Sequence, residues 1–106
     1  MKIVQLETVY TGGGIFIFCG MLETGNYFLT DDYGATIITD TDPMPYIEAG
    51  TELELWEGPH NIKELTGKKR LAFCKDLIKY MRINPKEHLL TDSEVNHYEE
   101  YFKEEW

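Results

Sequence analysis

Serine is almost absent from this chain: Ser93 is the only one in 106 residues, and it falls in the first turn of a predicted helix with no strand-to-helix elbow before it. That placement argues against serine hydrolysis. Cysteine is scarce too. Cys19 and Cys74 sit on a predicted strand and a predicted helix face, where buried thiols are common, so neither a disulfide nor a cysteine nucleophile is expected. Metal-ligand spacings are missing: there is no Cys-x-x-Cys, no His-x-x-x-His and no His-Glu-x-x-His. The longest apolar run, Ile15 to Leu22, spans eight residues interrupted by Gly20, whereas a membrane helix needs about 20. Gln5 and Glu7 break the apolar start well short of a secretory segment, and a cytoplasmic protein is expected.

Positive charge is missing from the first half and concentrated just after it. Residues 1–62 hold ten Asp/Glu against Lys2 alone, giving −9, while residues 63–86 hold eight Lys/Arg against Glu64 and Asp76, giving +6. Residues 87–106 return to −6, with seven acids against Lys103, and the three blocks sum to the net −9. Charge distribution of this kind bears on partner choice and association rate rather than on fold.

What the chain does have is a core. Apolar residues make up 42% of it and fourteen are aromatic (five Phe, seven Tyr, two Trp), which excludes wholesale disorder. One domain over residues 1–106 is expected at this length. Lys2 to Tyr10 is rich in β-branched and aromatic residues and is broken by Gly12 to Gly14. This glycine run lies between two strands rather than ahead of a helix, so it reads as a loop or bulge, not a phosphate cradle. Ile15 to Leu22 is apolar on both alternating sets and is expected to be the central strand, covered on both faces. Turn signals at Glu23-Thr24-Gly25-Asn26 and Asp32-Tyr33-Gly34 separate two further strands, Tyr27 to Asp31 and Ala35 to Thr39. Pro45 to Ala49 reads as a single helical turn, and Thr51 to Glu57 as a fifth strand with Leu53 and Leu55 inward and Glu52, Glu54 and Trp56 outward.

The period then changes. From about 67 to 82 the apolar residues Leu71, Cys74, Leu77, Ile78 and Met81 recur at three and four, with Phe73 and Tyr80 on the flank. Asn84-Pro85 stops that helix. Thr91 and Glu94 have the spacing of a capping box, opening a second helix from 92 to about 105 with the stripe Val95, Tyr98, Tyr101, Phe102 and Trp106. The expected fold is therefore α+β: an antiparallel sheet or small barrel-like meander of four to five strands over residues 2–57, packed by two C-terminal helices.

Three functional readings follow. The first is a non-enzymatic acidic interaction protein, monomer or homodimer, that binds a basic protein partner. This class includes nucleic-acid mimics and phage-type inhibitors of a host nucleic-acid-binding protein or nuclease. Same-face carboxylates on a strand repeat at about 6.7 Å, near twice the roughly 3.4 Å per charge of one nucleic-acid strand. Its candidate contacts are Asp31, Asp32, Glu52, Glu54, Trp56, Glu99, Glu100 and Glu104. A second reading is direct nucleic-acid binding through Lys68, Lys75, Lys79 and Arg82, which fall within a sector of about 60° on a helical wheel. The competing account of that stripe is that it neutralises acids of this same chain. The third is a small metal-assisted enzyme with a cleft at Asp31, Asp32 and His60 or His97; Glu94 with His97 is the one ligand-like spacing. His60 and His88 are expected to be solvated in loops. No cofactor and no resident metal are expected.

Overall fold

The structure is a computed structural model and describes residues 2–11, 15–48 and 61–103. Five strands form one antiparallel sheet in chain order: β1 (Ile3–Thr11), β2 (Ile15–Leu22), β3 (Tyr27–Thr30), β4 (Thr36–Thr39) and β5 (Ile62–Leu65). Helix α1 (Met44–Glu48) lies between β4 and β5 in the chain; α2 (Gly67–Ile83), a 3-10 turn at Pro85–Glu87 and α3 (Asp92–Phe102) follow. The α+β class and the meander are as the sequence implies, and the sheet is open rather than a barrel.

Alternation along the strands decides which face is buried. Register places Phe18 beside Thr30, Gly20 beside Leu6 and Phe28, Phe28 beside Ile38, and Leu65 beside Thr36. These residues face α2 and α3. Phe28 meets Phe73 of α2 edge-on at 5.1 Å, and Phe18 meets Tyr98 and Phe102 of α3 at 5.3 and 5.9 Å. Edge-to-face aromatic pairs add to what burial of their area alone contributes.

Several expectations are corrected. β2 is interior, but the centre of the sheet is β3, because a fifth strand forms at Ile62–Leu65 and pairs with β4. Three of its four residues are exposed, as befits an edge strand, and that exposure leaves no apolar alternation to read. The strand expected at Thr51 to Glu57 lies outside the described residues. Phe73 belongs to the core rather than the flank of α2, while Leu71 is only half-buried. Arg70, read as part of the basic block, is buried at 2% exposure. His88 is not a solvated loop residue: Nε2 lies 2.9 Å from the Met81 carbonyl and Nδ1 accepts from the Leu90 N–H at 3.2 Å, which requires the proton on Nε2.

Local signals account for the helix ends. Thr91 Oγ1 accepts from the Glu94 N–H while the Glu94 carboxylate accepts from the Thr91 N–H, the reciprocal box that the sequence spacing implies. Asn84 closes α2, its backbone N–H and side-chain amide both donating to the Tyr80 carbonyl. Helix α3 ends at Phe102 among the described residues, with Val95, Tyr98 and Phe102 buried and Tyr101 turned outward.

Candidate functional site

The turn between β3 and β4 is where the acids read from the sequence become a shaped surface. Asp31 folds it: Oδ1 accepts from the Tyr33 and Ala35 N–H groups at 2.9 and 3.0 Å, and its backbone exchanges hydrogen bonds with Gly34 and Ala35. The carboxyl is half-buried, and that burial pushes it above the usual carboxylate range, against the pull of the backbone amides.

Gly34 fits this turn for two reasons. Its φ of +91° is a backbone angle that other residues avoid. A Cβ there would also stand 2.8 Å from an Arg70 nitrogen, 3.1 Å from the Phe102 ring and 3.3 Å from Cys74 Sγ. The bare backbone lets the turn seat on the junction of α2 and α3. Cys74 Sγ and Thr36 Oγ1 both donate to the Gly34 carbonyl, at 3.4 and 3.0 Å, and Arg70 donates to the Phe102 carbonyl at 3.3 Å. Thr30 and Thr36 complete the buried polar cluster through their hydroxyls, 2.9 Å apart. A buried polar group needs a partner, and this cluster supplies one to each of these side chains while fixing where Tyr33 points.

Tyr33 points at α3. Its ring lies 6.1 Å from Tyr101, which in turn has His97 edge-on at 4.4 Å. Contacts continue from Tyr101 to Tyr98 at 6.4 Å, Tyr98 to Phe16 at 6.3 Å and Phe16 to Tyr10 at 5.1 Å. The chain of rings surfaces at Tyr10, Tyr33 and Tyr101, which are 61%, 59% and 37% exposed. Burial raises the Tyr98 hydroxyl above its ordinary value against the pull of the Phe16 N–H hydrogen bond, and the charges of Asp32 and Glu94 raise it further.

The remaining candidates are distributed differently. Glu99 pairs with Arg82 at 3.3 Å and Glu100 with Lys103 at 3.4 Å. At 100° per residue, Glu99 lies about 160° around α3 from His97 and Tyr101, on the flank facing α2. The structure therefore brings the turn that carries Asp31 and Asp32 to the His97 and Tyr101 flank of α3 by way of Tyr33, and not to the Glu99 flank. Glu52, Glu54, Trp56, His60, Glu104 and Trp106 lie outside the described residues, as do Gly12 to Gly14. On α2, Lys68, Lys75 and Lys79 are exposed, and among the described residues Arg82 alone of the stripe is paired with an acid. Among the described residues no three His, Cys, Asp or Glu side chains come together as a metal site, and the Glu94 carboxylate is engaged by its cap.

Concavities lie elsewhere on the described surface, among them one beside α2 and α3 and one beneath the sheet. A groove of about 460 Å³ runs between α2 and α3 over Leu71, Ile78 and Phe102, with Lys75, Glu99 and Lys103 at its rim. On the other face of the sheet a cavity of about 100 Å³ lies among Glu7, Cys19, Met21, Asp42 and Met44. Cys19 Sγ is 3.2 Å from Met44 Sδ, and burial, then Glu7 and Asp42, push its thiol up to about 12. Both cysteines are free and buried, with Cys74 raised by burial against the pull of Arg70. These are protonated core thiols rather than nucleophiles.

The chain matches no family model, no curated protein and no solved structure. Tyr33, Glu94 and Tyr101 were missed as surface partners of Asp32. The sequence signal for Tyr101 was its place at the edge of the apolar stripe of α3, and for Tyr33 its place at a turn tip; their meeting depends on the seating of Gly34.

Proposed function

We propose that this protein is a non-enzymatic interaction module that docks a basic protein partner on the surface formed by the Asp31–Gly34 turn and the outer flank of α3. The observation that carries this reading is that the turn bearing Asp31 and Asp32 brings the exposed Tyr33 ring to the exposed Tyr101 ring of α3 at 6.1 Å, with the charges of Asp32 and Glu94 both felt at the neighbouring Tyr98 hydroxyl. Aromatic anchors bordered by carboxylates suit a protein surface carrying Lys and Arg, because rigid rings supply contact area at small entropic cost while the acids steer and orient the encounter. A nucleic-acid-binding protein, whose cationic groove is made to receive phosphates, fits that chemistry.

The test is affinity capture from nuclease-treated extract at low and high salt, run in parallel with wild-type protein and an Asp32→Lys, Tyr33→Ala double variant. A partner released by salt and lost from the variant supports the reading. One retained equally by both counts against it. A second reading rests on the exposed row Lys68, Lys75 and Lys79, without an ion pair among the described residues, which offers itself to a phosphate backbone. It requires salt-dependent retardation of DNA or RNA that disappears when all three become alanine.

A further inference from the structure

Resting on that docking reading, we infer that the surface selects arginine over lysine: its occupant is a partner segment that lays a guanidinium against the Tyr33 and Tyr101 rings and pairs it with Asp32. Three observations combine. The two tyrosines meet at 62° rather than stacked, so neither ring lies flat on the other, and both rings are exposed to solvent. His97 braces Tyr101 at 4.4 Å from its own side of α3, holding that ring in place before any partner arrives. The turn that carries Tyr33 is fixed by the Asp31 hydrogen bonds and by the Cys74 and Thr36 contacts with Gly34. The rings are therefore pre-organised, and little ordering cost remains to be met on binding.

Charge complementarity names the occupant. Asp32 has no cationic partner among the described residues, and Asp31 offers a second carboxylate oxygen beyond the one engaged by Tyr33 and Ala35. Asp32 adjoins Tyr33 in the turn and its charge is felt at the Tyr98 hydroxyl next to Tyr101, so a cation approaching the rings meets that charge. Ammonium and guanidinium differ in what they do there. Lysine is a compact, strongly hydrated charge, so the rings gain little from it without stripping its water. Arginine is planar and weakly hydrated: it stacks on an aromatic face while its N–H groups, which lie in the same plane, reach a carboxylate beside the ring. An acidic surface without the rings would take either cation.

Two capped peptides of equal length and charge, alternating glycine with arginine in one and with lysine in the other, test this against isotope-labelled full-length protein by NMR titration. The arginine peptide is expected to bind about tenfold more tightly, a difference in the range of a stacked cation at a partly desolvated site. Its shifts should centre on Tyr33, His97 and Tyr101. Tyr101→Ala should bring the ratio close to one while leaving the lysine peptide within about twofold of its wild-type affinity, and Asp32→Asn should weaken both peptides. Tyr101→Leu keeps the apolar cover of α3 and is expected to lose the preference equally, so the test survives an alanine variant that fails to fold. Equal affinities at these amides would overturn arginine selection and leave acidic docking standing. Absence of binding by either peptide would overturn both. A preference that survives Tyr101→Ala and Tyr101→Leu would overturn the rings as its source.

Discussion

Replacing Glu87 with alanine should cost about 2 kcal/mol of stability, a value that follows from one carboxylate holding three elements. Both of its oxygens accept from the Tyr80 hydroxyl of α2, at 2.8 and 2.9 Å, and Oε1 also accepts from the Leu6 N–H of β1 at 3.3 Å. The Tyr80 contact is short and charge-assisted, worth roughly 1.5 kcal/mol at a half-buried site; the longer Leu6 contact adds about 0.5. With a urea slope of ~1.3 kcal/mol/M for a domain of this size, the midpoint should fall by about 1.5 M. Glu87→Gln keeps an acceptor for both donors and should cost under about 1 kcal/mol. Tyr80 supplies an independent readout. Burial first, then the hydrogen bond and charge of Glu87, push it up to about 12 from 10.0. Because the folded protein holds that proton more tightly than the unfolded chain, the stabilisation is intact below pH 10 and is lost as pH rises to about 12. Glu87→Gln removes the charge but not the burial, so phenolate absorbance, taken as a difference against Tyr80→Phe, should show the titration moving down while staying above 10.0. A Glu87→Ala midpoint within about 0.3 M of wild type would refute the clasp.

Gly20→Ala should be more damaging than any surface change, because an added Cβ would stand 1.9 Å from the Gln5 carbonyl oxygen and 2.8 Å from its carbon, both backbone atoms that cannot step aside. A loss of about 3 kcal/mol or more, with weakened amide protection along β1 and β2 in hydrogen exchange, is the expected result. Arg70→Met keeps the buried stem but removes the donor to the Phe102 carbonyl, and should cost about 2–4 kcal/mol in thermal or chemical denaturation. Its near neutrality would mean that the guanidinium is not what joins α2 to the end of α3.

The parts of the fold that were legible are those where one local rule acts alone. The apolar run Ile15 to Leu22, the Thr91–Glu94 box and the Asn84-Pro85 stop each specify their element without help from distant residues, and each is present. β5 was illegible because an edge strand with Ile62, Lys63 and Glu64 exposed carries no apolar period; its identity comes from pairing with β4. Arg70 was misread for a related reason. A cation in a basic block looks solvated, and what makes its burial tolerable includes the carbonyl of Phe102, 32 positions away, which no local pattern reveals. Asp31 and Asp32 were visible as turn acids. What could not be read was that Gly34 seats their turn against α3 and so gives Asp32 aromatic neighbours.

The same tertiary seating changes what the charge segregation means. If the basic stripe had been neutralised by the last helix, the cations and acids of the C-terminal half would cancel locally and steer nothing. Arg82 does pair with Glu99, but Lys68, Lys75 and Lys79 stay exposed along α2 and without an ion pair among the described residues. Glu99 marks the α2 flank of α3, whereas His97 and Tyr101 lie about 160° around that helix. The basic row and the acidic aromatic surface are therefore separated by the outer ridge of α3, a helix diameter of about 10 Å, which is comparable with the Debye length at physiological salt. A cationic partner approaching from the α2 side meets like charge, and one approaching the Asp31–Gly34 turn meets opposite charge beside the rings. Such an arrangement orients the encounter as well as attracting it, so raising salt should slow association at the Tyr33–Tyr101 surface more than it speeds dissociation. Charge reversal on α2, Lys75→Glu with Lys79→Glu, should accelerate association of the arginine peptide without altering which amides it shifts. Association rates that ignore both salt and the α2 charges would leave the rings as the whole of the recognition.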